Sequence, residues 1–462
     1  MAIVVPLRGI FYNRDKIKNL SLVVAPPYDV ISPQEQELLY ARHPQNIIRL
    51  ILNKETPADQ EQDNRYTRAA AFYRSWLKEG ILIRSPQPQF YFLRQEFALP
   101  PGYIPASPSP KTRLTRHGFI GLLRLEDYRT GVILPHEKTQ RKPKADRLAL
   151  MEACRANFCQ IFTFYEDQEG RIPALYEKVF SAPEGPTLEV TDDEGTYHAL
   201  WTVNDPQLKK EVMQIMQSKK IFIADGHHRY ETALAYREKQ LQEQQQISGR
   251  ESFNFTMVYF TNLEDEGLLI LPTHRVISGL PDFQAPLFLE HIQQHFSVES
   301  FPFSAPDHKA AASNFLRELA QQSHTGKSLG MVLNGYNQYF LLTLKREDIW
   351  QQVTNHLPSV LKKLEVNLLH LLILPKFLHI SNEDLTASRY VHYLRDPYEA
   401  GEEVISGKGQ MAFFLNPPSV AQVRDVSLAG ETMPSKSTFF YPKLLSGLVI
   451  NPLEPNEEIP MA

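Results

Sequence analysis

The first stretch of this sequence whose residues could do chemistry lies in its middle. Here His227, His228 and Arg229 directly follow Asp225 and Gly226. Apolar, β-prone residues precede Asp225, and apolar side chains recur at helical spacing after Arg229, which predicts a buried strand, a turn and an exposed helix. A helix start offers unpaired N–H groups and the positive end of the helix dipole. With two imidazoles and a guanidinium added, we expect this turn to bind phosphate or carboxylate.

The residues of this turn have two other interpretations. A single histidine near a helix start is usually capped or solvated, whereas two histidines followed by arginine are harder to explain in this way. Gly226 would also let the backbone approach a ligand closely. His227 and Glu231 lie four residues apart on one helix face, but no HExxH motif or Cys/His ligand spacing accompanies them. We therefore predict an anion site and no metal-ligand set.

The second stretch is PHEKT, residues 135–139, about 90 residues earlier, where His136, Glu137 and Thr139 follow a short predicted strand. A carboxylate on such a loop can accept a proton from an alcohol. Phosphoryl transfer needs this acid together with cationic donors that hold the phosphoryl group. Alone, Glu137 could equally be a solvated loop residue; beside the first stretch, it indicates kinase chemistry.

The elements that must position these stretches are short strands and amphipathic helices. Predicted strands cover residues 3–10, 46–52, 80–84, 89–96, 116–128, 132–134, 160–167, 221–224, 254–260 and 268–271. Predicted helices begin near residues 33, 66, 144, 205 and 227, the first with Ser32 as its N-cap and Pro33 at its first position.

Several further residues are weaker candidates, and each has an ordinary structural interpretation. Asp29 and Arg49 could line the same cleft. Anion contacts could come from Arg147 and Arg155 on a helix, from His274 and Arg275 after a strand, and from Lys436, Ser437 and Thr438 on a late turn.

Length and composition indicate a soluble protein of two or three domains. The chain has 462 residues, 42% hydrophobic and 22% charged, and its net charge of -4 gives no basic surface for nucleic acid. Neither a signal peptide nor a membrane span is evident. Two cysteines, Cys154 and Cys159, suit a reducing cytoplasm. We expect a cytoplasmic protein without nucleic-acid or membrane partners; no particular oligomeric state is indicated.

Three regions are predicted along the chain. Residues 1–110 form an N-terminal α/β region that ends in a Pro/Ser-rich stretch, residues 111–278 form the core with both stretches, and residues 279–462 form a separate C-terminal α+β region. The expected fold class is α+β with mixed sheets.

Nearly the whole chain resembles a widespread prokaryotic family of uncharacterised conserved proteins, the domain of unknown function numbered 1015. The matching segments are APPYDVIS (25–32), HPQNIIRLIL (43–52), GVILPHEKT (131–139), ADGHHRYETAL (224–234), FFLNPPS (413–419) and MPSKSTFFYPKLLSGLVI (433–450).

PHEKT and DGHHR together also resemble the free serine kinases of the ParB/sulfiredoxin superfamily, over residues 113–275. This chain differs by inserted strands between the two motifs and by large terminal regions. The resemblance implies a ParB/sulfiredoxin-like core, a small-molecule substrate (free L-serine, or O-phosphoserine in reverse), and ADP or ATP with Mg²⁺ as cofactors. It implies Glu137 as the base and His228 and Arg229 as further catalytic groups. The implied nucleotide-phosphate ligands are His136, Thr139, Asp225, Gly226, His227, His228 and Arg229.

Three functions stay open at this point. The first is a nucleotide-dependent phosphotransferase with an alcohol acceptor, whose direction the residues do not assign because phosphoryl transfer has nearly symmetric needs. The second is a ParB-like nucleotide sensor in which Glu137 is dispensable. The third is a phosphate-ester hydrolase with water as acceptor.

Overall fold

The computed structural model describes residues 1–104, 111–139, 141–243, 247–304, 308–322, 327–455 and 457–461. Parts of the predicted Pro/Ser-rich stretch (105–110) and of the Gln-rich helix end (244–246) lie outside these residues. The strands are β1 (Val4–Val5), β2 (Ile10–Tyr12), β3 (Leu82–Arg84), β4 (Phe90–Ala98), β5 (Arg113–Arg124), β6 (Ile133–Leu134), β7 (Ala156–Asn157), β8 (Ile161–Tyr165), β9 (Leu188–Thr191), β10 (Tyr197–Val203), β11 (Ile221–Asp225), β12 (Phe255–Asn262), β13 (Leu269–Leu271), β14 (His274–Ile277), β15 (Phe296–Pro302), β16 (Ser328–Leu333), β17 (Gln338–Leu344), β18 (Val391–Leu394), β19 (Met411–Phe414), β20 (Phe439–Tyr441) and β21 (Asn451–Pro452).

The helices separate these strands along the chain. They are α1 (Pro33–Arg42), α2 (Ile48–Ile51), α3 (Arg65–Lys78), α4 (Arg141–Cys154), α5 (Arg171–Phe180), α6 (Pro206–Gln217), α7 (His227–Glu243), α8 (Ala285–His295), α9 (His308–Gln321), α10 (Glu347–Thr354), α11 (Ser359–Lys362), α12 (Glu365–Leu368), α13 (Asn382–Thr386), α14 (Pro397–Ile405) and α15 (Val420–Leu428). A π-helix spans Leu369–Phe377. None of the described helices is both long and apolar enough to cross a membrane.

The chain folds into two compact units. Unit 1 comprises Met1–Ala98, Arg113–Leu268 and Pro442–Ala462, and unit 2 comprises Leu99–Thr112 and Leu269–Tyr441. Strands from both of the first two predicted regions share one sheet in unit 1. The last segment of the chain also joins unit 1, where β21 pairs with β7. The division into three consecutive regions therefore stays a prediction from the sequence.

The main sheet of unit 1 is mixed, with the strand order β6-β11-β8-β12-β5-β4-β10-β9 and β1 beside β5. The pairs β6–β11 and β8–β12 are parallel, whereas β5 pairs antiparallel with β4 and with β12. Together with the flanking helices, this confirms the predicted α+β class with a mixed sheet.

Aromatic side chains fill the core beside β4, β5 and β12. The ring of Phe119 stacks on Phe260 at 4.9 Å and on Phe92 at 5.7 Å between centroids, and all three side chains are fully buried. Gly118 makes room for this packing, because a Cβ there would overlap the Tyr259 ring and lie 2.5 Å from the Phe260 carbonyl oxygen.

The predicted strand at residues 46–52 is wrong, since this segment forms the short helix α2. Asn46 Oδ1 accepts a hydrogen bond from the Ile48 N–H at 2.9 Å, and Arg49 donates to the carbonyl oxygens of Tyr40 and His43 at 2.9 Å. These local polar contacts favour a helical turn, and a short apolar run alone does not distinguish strand from helix.

Unit 2 is built on a second, antiparallel sheet with the order β15-β17-β16-β19-β14-β18. Helices α9 and α14 pack on it, and Phe315, Tyr339 and Phe414 are among the buried residues at the centre of this layer. Strands β14 and β19 pair so that Arg275 lies opposite Phe413. The start of β14 and the end of β19 therefore lie at one edge of the sheet.

We predict that Gly118→Ala lowers the free energy of unfolding by about 1–3 kcal/mol, because the added methyl group overpacks the core against Tyr259. Urea unfolding followed by circular dichroism measures this loss. Arg113→Ala, at the exposed start of the same strand, should change stability by less than about 0.5 kcal/mol. Equal stability of both variants would contradict the close packing described for Gly118.

Candidate active site

Both predicted stretches leave the main sheet at the same edge. PHEKT follows β6 and DGHHR begins at the end of β11, and these two strands are parallel neighbours with Ile133 opposite Ile221 and Leu134 opposite Phe222. The carboxyl ends of parallel strands meet at one edge, which is where open α/β sheets bind ligands. The structure thus brings together two segments that are far apart in the sequence.

A histidine pair joins the two segments. The backbone N–H of His136 donates to Nε2 of His227 at 3.2 Å, and the two rings meet edge to face with 4.6 Å between centroids. The Nδ1–H of His136 donates to the carbonyl oxygen of Ile223 at 2.8 Å, which anchors the loop to β11. Glu137 follows His136 directly and is half-buried, as is His228.

Both histidines of this pair are neutral at pH 7. Burial lowers the pKa of His136 to about 4, and burial together with the neighbouring His136 lowers the pKa of His227 well below its ordinary value. Nε2 of His227 accepts a hydrogen bond and so carries no proton. This differs from the expected anion site, because His136 and His227 add no positive charge and the hydrogen bonds described above join the loop to β11 and α7.

The positive charge of the site comes from Arg229 and Lys443. Asp225 Oδ2 accepts from Lys443 Nζ at 3.2 Å and from Arg229 Nη2 at 3.4 Å, and Arg229 Nη1 also donates to the Gln160 carbonyl oxygen. Although burial acts to raise the pKa of Asp225, Lys443 and Arg229 lower it well below its usual range. Two cations, Lys443 and Arg229, therefore contact one carboxylate beside the start of α7.

A glycine is required at position 226 by the local backbone conformation and by the closeness of the Arg229 side chain. Its φ of +93° lies in the left-handed region that side chains disfavour, and a Cβ there would lie 2.9 Å from Nε of Arg229. The first hydrogen bond of α7 runs from the Tyr230 N–H to the Gly226 carbonyl oxygen at 2.9 Å. The glycine therefore lets the guanidinium fold back against the turn.

Thr139 is tied to helix α7 through Glu231. Its hydroxyl donates to Glu231 Oε2 at 2.6 Å, and Lys144 Nζ donates to the same oxygen at 2.7 Å. Glu231 thus fixes the far end of the PHEKT loop. In the sequence, Glu231 stands out only because it lies four residues after His227, as one ligand of a weakly supported metal site. Its contacts with Thr139 and Lys144 have no such signal.

The other arginines proposed from the sequence have different positions. Arg147 is buried, donates to Asp146 Oδ2 at 2.7 Å and to the Ile51 carbonyl oxygen at 2.7 Å, and stacks over the Tyr28 ring at 3.9 Å. It lines a largely apolar cavity of about 50 Å³ whose wall also includes Arg229. Arg155 is exposed, Asp29 is exposed beside Tyr28, and Arg49 bonds to backbone carbonyls as described above.

Lys443 is the functional candidate that sequence reasoning missed. It lies on the last segment of the chain, 218 residues from Asp225, and is largely buried. The segment stays near the site through Gln160 Nε2, which donates to the Leu445 carbonyl oxygen at 3.2 Å, and through Cys159 Sγ, 2.9 Å from Ser446 Oγ. The available signal was that Lys443 lies within a segment that resembles the family.

A metal site would need several side-chain ligands close together in the described part of the chain. There, no group of three or more His, Cys, Asp or Glu side chains lies together in a way that could hold a metal ion. Asp225 is already neutralised by two cations. Any metal at this site would therefore have to arrive with a ligand that supplies further oxygen atoms.

We predict that stability falls by about 2 kcal/mol between pH 7 and pH 5 through His136. The unfolded chain binds a proton to His136 near its ordinary pKa of 6.5, whereas the folded chain binds it only near pH 4. The contribution is therefore complete above pH 6.5 and is lost as the pH falls toward 4. Urea unfolding at both pH values measures it.

His136→Asn should flatten this pH dependence, because the amide can still donate to Ile223 but does not titrate. His356→Asn, at an exposed histidine, is the control and should keep the wild-type dependence. An unchanged slope in His136→Asn would contradict a neutral, buried His136.

Several solved structures are similar to this chain, among them three that are each 12% identical to it. A free serine kinase in complex with ADP has a TM-score of 0.32 and covers 68% of this chain and 87% of its own. A conserved hypothetical protein from Pyrococcus furiosus has a TM-score of 0.30, and the match covers 68% of this chain and 90% of that protein. SbnI with a C-terminal truncation, from Staphylococcus aureus, has a TM-score of 0.34, and the match covers 72% of this chain and 87% of that protein.

No curated protein matches this sequence. A family model does match, over residues 4–367, which include both strands and both motifs of the site. The family's description is "Protein of unknown function (DUF1015)", and this chain belongs to that family.

Proposed function

We propose that this protein is a nucleotide-dependent phosphotransferase that acts on a small hydroxylated metabolite, with free L-serine or O-phosphoserine as the leading substrate. The observation that carries the proposal is the 3.2 Å hydrogen bond from the His136 N–H to Nε2 of His227. It fixes the loop that bears Glu137 against the helix start that bears Gly226 and Arg229. A candidate proton acceptor and a candidate phosphate site are thereby held at one sheet edge.

The phosphate groups of ADP or ATP are proposed to bind at the start of α7. Backbone N–H groups of a first helical turn and the helix dipole both favour an anion there. The cationic groups of Arg229 and Lys443, which both contact Asp225, support the same choice. His228, next to Arg229 and half-buried, is proposed as a further phosphate contact.

Glu137 is proposed as the general base. It accepts the proton of the substrate hydroxyl while that oxygen forms a bond to the terminal phosphorus of the nucleotide. The bond from phosphorus to the nucleotide's bridging oxygen breaks, and the nucleotide leaves with that electron pair. In the reverse direction, a terminal phosphate oxygen of the nucleotide forms the bond to the phosphorus of O-phosphoserine, the bond from phosphorus to the serine oxygen breaks, and protonated Glu137 returns the proton to that oxygen. Thr139 and His136 act through position, because their contacts fix the loop at both sides of Glu137.

Magnesium enters this proposal with the nucleotide. A nucleotide-borne Mg²⁺ usually needs only one or two protein carboxylates besides the phosphate oxygens. Asp225 is engaged by Lys443 and Arg229, and Glu137 is assigned to the hydroxyl proton, so the metal would be held mainly by the phosphate oxygens of the nucleotide. When bound, the metal supplies charge neutralisation at the phosphates.

We predict that Glu137→Gln lowers kcat by at least about 100-fold and leaves the Kd for nucleotide nearly unchanged, because the amide keeps the shape but cannot accept the proton. Phosphorus NMR with Mg²⁺ follows ADP or ATP with L-serine, and separately O-phosphoserine with AMP or ADP. Glu152→Gln, on an exposed face of α4, is the matched control and should retain full activity.

The outcomes separate the three candidate functions. Conversion of serine or phosphoserine with matched nucleotide conversion supports the phosphotransferase and gives its direction. Nucleotide binding without conversion of either partner would replace it with a nucleotide sensor. Release of inorganic phosphate without a nucleotide acceptor would replace it with a hydrolase. Full activity in Glu137→Gln would refute the proposed base.

We also predict that Arg229→Lys weakens nucleotide binding by about tenfold or more, since lysine lacks the planar fork that holds Asp225 and phosphate oxygens together. Isothermal titration calorimetry with ADP measures the change. Arg237→Lys is the matched control, because Arg237 lies on the same helix and donates to the Leu125 carbonyl oxygen. Equal affinity in both variants would remove Arg229 from the proposed phosphate site.

A further inference from the structure

Unit 2 contains a buried arginine without a carboxylate partner. Arg275 is 1% exposed, and two of its nitrogens donate to backbone carbonyl oxygens, those of Thr273 and, at 3.1 Å, Lys436. Its Nε atom has no hydrogen-bond partner within the described ranges. The guanidinium carbon of Arg275 lies over the Tyr393 ring, 5.5 Å from the ring centroid. Burial lowers the pKa of Arg275 to about 10, so the group is still a cation at pH 7.

The charge of Arg275 is energetically costly in this setting. An isolated buried cation is strongly unfavourable unless an anion or several hydrogen bonds compensate it. Arg147 in unit 1 shows the usual solution, because it is also buried, at 8% exposed, but bonds directly to the carboxylate of Asp146 at 2.7 Å. No such acid meets Arg275 in the residues that the structure covers. A compensating anion from outside the chain would remove this cost.

Arg275 lines a small cavity with a polar wall. The cavity measures about 30 Å³, and its wall also carries Lys363, Glu365, Asn416 and Ser437. It lies where β14 begins and β19 ends, and two prolines that follow Asn416 complete an apolar side. Two sequence segments that resemble the family, FFLNPPS and MPSKSTFFYPK, thus contribute to one enclosed space.

The other buried titratable groups around the cavity, His274, His370 and Glu365, carry little charge at pH 7, so Arg275 is the main buried charge there. Burial, followed by the charge of Arg275, lowers the pKa of both His274 and His370 to about 3, so these rings are neutral. Burial raises the pKa of Glu365 to about 8, and both of its oxygens accept from Asn416, at 3.1 and 3.0 Å. At pH 7, Glu365 therefore opposes an incoming anion only weakly.

The backbone beside Arg275 is also unusual. Lys436, whose carbonyl oxygen accepts from Arg275, has a φ of +60°. A non-glycine residue in this left-handed region is strained, and such strain concentrates at ligand sites. The backbone at Lys436 is therefore strained at the residue whose carbonyl oxygen accepts from the Arg275 guanidinium.

We propose that this cavity binds a small carboxylate anion, with Arg275 as its principal ligand-binding group. A planar carboxylate matches the Nε edge of a guanidinium. A phosphate dianion fits less well, because one buried guanidinium balances only one charge and Glu365 lies on the same wall. The prolines favour a short aliphatic portion. The site lies wholly in unit 2 and is independent of the proposed phosphotransferase.

The test uses the full-length protein with sodium acetate, L-lactate or inorganic phosphate as probes and sodium chloride as the ionic-strength control. We expect acetate or L-lactate to raise the melting temperature in a saturable way and to shift the NMR signal of the Arg275 Nε–H group. Phosphate and chloride should do neither. Arg275→Gln should abolish the carboxylate effect, and Arg395→Gln, at an exposed arginine of unit 2, should retain it.

The outcomes are decisive in both directions. Without ligand, Arg275→Gln should be at least as stable as the wild type, because it removes an uncompensated buried cation. If this variant does not fold, Lys363→Gln at the exposed rim should weaken carboxylate affinity several-fold while leaving the fold intact. Absence of any saturable carboxylate effect in the wild type would overturn the proposal, and a larger effect of phosphate would overturn the choice of ligand.

Discussion

The candidate active site depends on one hydrogen bond that only a neutral histidine can accept. The His136 N–H reaches Nε2 of His227, and this atom can accept only while it carries no proton. Burial of both rings keeps them neutral, so the core that excludes water also maintains the link between the two loops. The parallel pairing of β6 with β11 brings the loops to one edge, and the histidine pair then fixes their relative position.

The charges around Asp225 follow from the same burial. With water largely excluded, a carboxylate there needs cationic partners, and it has one from α7 and one from the end of the chain. Lys443 therefore links the last segment to the sheet edge, beside the polar contacts of Leu445 and Ser446. The two cations that stabilise Asp225 also lie near a helix start, where an anion is already favoured.

Local sequence predicted the elements whose signals are local. The strand, glycine turn and helix around residues 221–243 were confirmed, as was the helix that begins after the capping box of Ser32 and Glu35. Residues 46–52 were assigned wrongly, because the polar contacts of Asn46 and Arg49 decide between helix and strand there. Neither the neutral state of His227 nor the partner of Asp225 could be predicted, since burial and contacts across 218 residues have no local signature.

Three buried arginines show how charge compensation separates structural from binding roles. Arg147 pairs with Asp146, which also accepts from Arg65, and a further donor of Arg147 meets the Ile51 carbonyl oxygen, so this arginine is part of the scaffold. Arg229 shares Asp225 with Lys443, and the charge of Asp29 also acts on it. Arg275 has carbonyl partners alone within the described residues. Since the cost of a buried cation rises as its compensation falls, the need for an external anion is greatest at Arg275.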